Sequence, residues 1–196
     1  MKSSTLLAGS ALACALALSG CGGSDGDLFV GGTFVGVTKT GLVLQNNGGA
    51  DLVIEPTNNG SGSFAFPQLV ETDSGYNVTV KSIPSNASEC KPFNNTGKVA
   101  FNITTVQIVC TIRQHELKGS ITGLTGTLEL VNGSDKVTVA PGATSFAMTK
   151  INEDAPYAVG ILTQPANQTC TVANGSGTMG SNDVTNITVT CGPRTQ

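Results

Sequence analysis

The residues able to do chemistry in this chain are few, and their spacing does not suit catalysis. The single histidine, His115, stands next to Glu116 with no second ligand or nucleophile beside it. A serine nucleophile needs a base held against it, and the sole histidine falls between the two halves of the chain, where it is expected to be a solvated connector residue. Cys90, Cys110, Cys170 and Cys191 are spaced about twenty residues apart within each half, unlike the short Cys-x-x-Cys clips of zinc sites, and no histidine accompanies them. Asp25 and Asp27 begin like a calcium loop, but the third acid, the turn glycine and the closing glutamate are missing. Glu153 and Asp154 share a turn position with Asp73 of the first half, and these are the carboxylates that could hold calcium. No glycine-rich phosphate loop is present. The expectation is a chain without enzymatic activity, without a cofactor and without an assigned metal.

The remaining cysteines are explained by export. Met1 and Lys2 supply positive charge and Leu6 to Leu18 an apolar core, the layout of a secretory signal that is too short to remain as a spanning helix. Leu18-Ser19-Gly20-Cys21 resembles the bacterial lipobox. That resemblance implies cleavage before Cys21, a diacylglyceryl thioether on its sulfur and a further acyl chain, such as palmitate, on its nitrogen. Two or three chains give a stable anchor where one is marginal, since each buried CH₂ contributes ~0.8 kcal/mol. Gly22 in place of an aspartate implies, by the same analogy, the outer membrane. With Cys14 lost in the signal and Cys21 acylated, an even set of cysteines remains in an exported chain, which implies disulfides.

The mature chain is one unit written twice. Gly32 to Thr38 matches Gly119 to Thr125, Ser63-Phe-Ala-Phe66 matches Ser145-Phe-Ala-Met148, and Tyr76-Asn-Val-Thr-Val80 matches Tyr157-Ala-Val-Gly-Ile161. Pro84 to Cys90 answers Pro165 to Cys170, and Val106-Gln-Ile-Val-Cys110 answers Ile187-Thr-Val-Thr-Cys191. Tyr76 to Tyr157 and Cys110 to Cys191 are both 81 positions apart, so the register holds to the end. If each repeat closes itself, the bridges are Cys90–Cys110 and Cys170–Cys191, each tying a loop to the last strand. A small domain with few aromatics gains much from such a closure.

Within each repeat the apolar period is two. Tyr76, Val78 and Val80 alternate with Asn77, Thr79 and Lys81, and Ile187 and Val189 with Thr188 and Thr190. Between such runs lie clusters like Asn46-Asn-Gly-Gly49 and Asn58-Asn-Gly-Ser-Gly62, whose residues tolerate the φ > 0 of tight connections. About seven short strands per repeat predict an all-β fold of two tandem antiparallel β-sandwich domains. The order of a glycine-rich turn, Ser63-Phe-Ala-Phe66, a loop and Tyr76-Asn-Val-Thr-Val80 resembles the immunoglobulin-like or transthyretin-like (prealbumin-like) sandwich of collagen-adhesin B-type and carboxypeptidase-regulatory-like modules. The second half, from Gln164-Pro165 to Cys191, resembles the Cys-closed extracellular repeats found in tandem in bacterial envelope proteins. This resemblance covers nearly all of the chain after Leu28 and carries fold without any catalytic signature. The first copy departs from it at Ser82-Ile83 and Lys91-Pro-Phe93.

These readings divide the chain into a signal peptide (1–20), a lipidated flexible leash (21–27), a first sandwich (28–111), a linker (112–116), a second sandwich (117–192) and a tail (193–196). The linker is short enough to act as a limited hinge. Ten basic residues against thirteen acidic ones give a net charge of −3, with no basic stripe to neutralise phosphates, so nucleic acid is not an expected partner. The expected partners are the membrane, through the lipid, and an envelope protein or glycan. There is no tryptophan, the two tyrosines fit strand cores, and Phe93 is the one aromatic candidate for an exposed loop. That scarcity favours an envelope lipoprotein acting as a structural or protein-binding display module over a carbohydrate-binding or adhesion module.

Overall fold

The computed structural model describes residues 28–194. The signal segment, Cys21 and the leash therefore lie outside the described residues. The first repeat contains β1 (Val30–Val35), β2 (Leu42–Asn46), β3 (Leu52–Ile54), β4 (Gly62–Ala65), β5 (Gly75–Ser82), β6 (Ala87–Phe93), β7 (Thr96–Lys98) and β8 (Ile103–Ile112). The second contains β9 (Gln114–Thr122), β10 (Leu128–Asn132), β11 (Asp135–Val139), β12 (Ser145–Asn152), β13 (Pro156–Thr163), β14 (Gln168–Ala173), β15 (Ser176–Thr178) and β16 (Val184–Pro193). Two four-stranded sheets, β4-β1-β8-β6 and β3-β2-β5-β7, form the first sandwich, and β12-β9-β16-β14 with β11-β10-β13-β15 repeat that order in the second. The duplication seen in the sequence is thus a duplication of topology, strand for strand.

Alternation places the cores. Leu42, Leu44, Val78 and Ile108 are buried between the first pair of sheets, and Leu128, Leu130, Val159 and Val189 between the second, so each repeat has its own apolar cluster. Each repeat has one strand more than the seven expected. The extra strands are β7 and β15, whose three residues are all exposed. They carry no apolar alternation and are held only by antiparallel pairing to β5 and β13.

The all-β, two-sandwich architecture agrees with the alternation, but pairing is not antiparallel throughout. In each repeat the first and last strands run side by side in the same direction: β1 pairs with β8 from Val30/Ile103 to Val35/Val109, and β9 with β16 from Leu117/Val184 to Thr122/Thr190. The intervening strands cross to the other sheet and back, which lets the last strand return parallel to the first. A glycine inside the ladder of each repeat permits the approach. A Cβ on Gly32 would lie 1.8 Å from the Val106 carbonyl oxygen, and one on Gly119 would lie 2.3 Å from that of Ile187. Because β1 and β8 are parallel, the chain comes into the sandwich at one end and leaves at the other. We call these the leading and trailing ends.

Disulfides join Cys90 to Cys110 and Cys170 to Cys191. The partners are directly opposed in antiparallel pairs, on the sheet-edge strands β6 and β14 and the final strands β8 and β16. Cys90 and Cys170 therefore lie in strands rather than in the loops expected from sequence. The connection between repeats is tighter than the expected hinge, since β8 runs to Ile112, β9 starts at Gln114, and Arg113 alone stands between them.

Candidate functional site at the joint between the repeats

Polar side chains from both repeats converge where the trailing end of the first meets the leading end of the second. From the first repeat come Thr38 and Lys39, after β1, and Asn86, just before β6. The second contributes His115 from β9 together with Glu153 and Asp154, which follow β12. Lys39 Nζ lies 2.9 Å from Asp154 Oδ1 and 3.6 Å from Glu153 Oε1. Asn86 Nδ2 donates to Thr38 Oγ1 at 2.9 Å and to Asp154 Oδ2 at 3.0 Å. On the far side of Glu153, His115 Nε2 lies 3.4 Å from Oε2, and His115 Nδ1 lies 3.9 Å from Asp183 Oδ1.

The backbone of Arg113 is clamped from both sides. Its N–H donates to the Asn86 carbonyl at 2.9 Å, and its own carbonyl accepts from the Glu153 N–H at 2.8 Å. The Arg113 guanidinium also donates to the Ser85 carbonyl. These bonds fix the only residue between the strands, so the joint is built as a docked interface.

Burial decides how much these contacts matter. The Glu153 side chain is 7% exposed and that of His115 14%, whereas Lys39 is 40% exposed. A buried carboxylate needs a compensating charge or donor, and Lys39 and His115 flank Glu153. The hydrogen bond to Asp154 holds the Lys39 ammonium above its ordinary value of 10.5. A raised lysine value means that its contribution is complete below the ordinary lysine range and is lost as the pH rises through the raised one. The Lys39 ammonium therefore stays charged across the neutral range. Asn86 is fully buried, and its Oδ1 has no hydrogen-bond partner among the described residues.

His115 faces two carboxylates, while Ser88, on the open groove that also touches His115 and Asn152, donates its hydroxyl to the Thr111 carbonyl. Among the described residues no three of His, Cys, Asp and Glu converge as a metal site.

The residues singled out from sequence are distributed as follows. Cys21, Asp25 and Asp27 lie outside the described residues. Cys90, Cys110, Cys170 and Cys191 are spent in bridges, and Cys110 lines the same open groove as Ser88 and His115. His115 is a half-buried part of the joint, which corrects its reading as a solvated connector residue. Burial against β12, where Ile151 pairs with His115, is the reason. Glu153 and Asp154 belong to the joint. Asp73 does not join them, because it occupies the equivalent turn of the first repeat, donating its N–H to Val99 as Asp154 does to Met179.

Sequence reasoning missed Lys39 and Asn86. A signal for Lys39 existed: between the matched segments ending at Thr38 and Thr125, the first repeat has Lys39 and Thr40 before Gly41, where the second passes directly to Gly126. Asn86 resembled any other turn asparagine. Replacing Asn86 by alanine should lower stability by about 1–3 kcal/mol through the donor lost to Asp154, and should separate the thermal unfolding of the two repeats. A single unchanged transition in calorimetry would show that the Asn86 contact contributes nothing to coupling them.

No family model and no curated protein matches the chain. Among solved structures, the TIE protein of Bacillus anthracis superposes with a TM-score of 0.46 at 11% identity, over 83% of this chain and 34% of that one. The chain thus spans about a third of that protein's length. The major pilin protein T3.2 of Streptococcus pyogenes gives a TM-score of 0.36 at 11% identity, over 85% of this chain and 98% of the pilin. Two B repeat units of the collagen binding protein of Staphylococcus aureus give 0.31 at 17% identity, over 86% of this chain and 50% of theirs.

Proposed function

We propose that the chain is a bacterial envelope lipoprotein, anchored through acylated Cys21, whose two docked sandwiches act without catalysis as a structural or protein-binding display module. The observation that carries this reading is the employment of the reactive side chains. Four cysteines form bridges, and the sole histidine is enclosed by carboxylates at the joint. What remains is a body suited to holding a surface at a set distance from a lipid. The outer membrane is the proposed location, on the analogy of Gly22 after the acylated cysteine.

A carbohydrate-binding or adhesion module is the second reading. It draws on Phe93, 48% exposed at the end of β6, although that residue stands on a strand and not in the loop expected for it.

Intact mass of protein extracted from membranes, before and after reduction and alkylation, tests the primary reading. The expected result is a chain starting at Cys21 with added acyl chains, in which four thiols become alkylated only after reduction. An unacylated mass would remove the anchor.

A further inference from the structure

The two repeats present the same end differently, and that difference points to a ligand. At the leading end of the first repeat, Leu28 pairs with Val70 and the Phe29 N–H donates to Asn102 Oδ1 at 3.1 Å. At the leading end of the second, His115 pairs with Ile151 and the Glu116 N–H donates to Asp183 Oδ1 at 2.8 Å. These correspondences align the loops residue by residue. Leu69, before Val70, answers Lys150, before Ile151. Phe101, before Asn102, answers Asn182, before Asp183.

All four side chains are exposed. Where the second repeat puts an amine and an amide in water, the first puts Leu69, 53% exposed, and Phe101, 68% exposed. Phe101 is the most exposed large apolar residue among the described residues. Single exposed apolar residues need no explanation. Two of them on the loops that bracket Leu28, against polar residues at the same two positions of a second copy, do need one.

The chain upstream identifies the occupant. Leu28 is seven residues from Cys21, which at full extension is roughly 25 Å and no more. Resting on the lipid-anchor reading, we infer that Leu69 and Phe101 form a seat that dips into the membrane interface beside the anchor and holds the first sandwich leading-end down. An aromatic ring at headgroup depth and a leucine beneath it suit that boundary. Asp73 on the Leu69 loop and Lys98, before the Phe101 loop, put charges of both signs at this end, so the surface that fits is zwitterionic. The covalent lipid keeps the protein on the membrane, and the seat sets its tilt.

The chain has no tryptophan, so one introduced ring reports alone. Phe101→Trp and, as its counterpart in the second repeat, Asn182→Trp are prepared as acylated full-length protein, with the mass checked first. Both are placed in phosphatidylcholine vesicles carrying brominated acyl chains. The expected result is a blue-shifted Phe101→Trp emission quenched by the bromolipid, an Asn182→Trp emission that stays red and unquenched, and loss of quenching when Leu69→Lys is added to the Phe101→Trp chain. Acylated protein in which both tryptophans stay red and unquenched would overturn the seat and leave the anchor standing. If the mass shows no acyl chain, the anchor reading falls. Titrating the same vesicles into the free chain then decides the seat: a blue shift of Phe101→Trp alone supports it, and no shift overturns it.

Discussion

Gly119→Ala should destabilise the second repeat by roughly 3 kcal/mol or more, as expected for overpacking against atoms that cannot yield, while the first repeat keeps its own core. The added methyl would sit 2.3 Å from the Ile187 carbonyl oxygen and 2.7 Å from the Phe146 ring. The oxygen belongs to the parallel ladder with β16, so relief requires β9 and β16 to separate. Gly32→Ala should do the same to the first repeat, with the Val106 carbonyl oxygen nearer still. Such a loss is a large part of the ~5–15 kcal/mol that holds a typical domain folded. Urea unfolding of each variant, followed by a probe in each repeat, checks this. A Gly119→Ala midpoint equal to that of the parent would mean that the two strands are not as close as described.

Removing a bridge should have an effect of similar size. Closing the loop between Cys170 and Cys191 restricts the unfolded chain by about 3 kcal/mol in the entropy model. The paired change Cys170→Ala and Cys191→Ala should lower the stability of the second repeat by that order. Both sulfurs are buried, so a smaller packing loss adds to it. The acylation proposed for Cys21 should be untouched. Equal melting of the parent with and without reductant would sink the assignment of the bridge to stability.

Much of this architecture was legible because it depends on local pattern. Alternation at Tyr76, Val78 and Val80 marks β5, and the matching Tyr157 marks β13, whatever lies beside them. The even register from Tyr76 to Cys110 and from Tyr157 to Cys191 pointed to bridges within repeats. The direction of β8 was not legible, because a period of two is the same in parallel and antiparallel strands. Thr96, Gly97 and Lys98 gave no hint of β7, since a strand without a buried face leaves no apolar trace. The joint was hidden for another reason. Asn86 and Asp154 are 68 positions apart, and neither has a neighbour in sequence that betrays the other. Lys39 could have been found only by asking why one copy carries two residues that the other lacks.

The parallel pairing of first and last strands has a mechanical consequence. If the lipid holds one end of the molecule and a partner drags on the other, the load enters the first repeat at β1 and leaves through the far end of β8. The two strands are then pulled past each other in shear, so the ladder from Val30/Ile103 to Val35/Val109 must fail together, where a hairpin would unzip one bond at a time. The same holds for β9 and β16. Should a ladder give way, the bridge from Cys90 to Cys110 keeps the segment between them from paying out, and Cys170 to Cys191 does so in the second repeat. Under such a load the molecule would resist tension along its length and limit how far it could stretch.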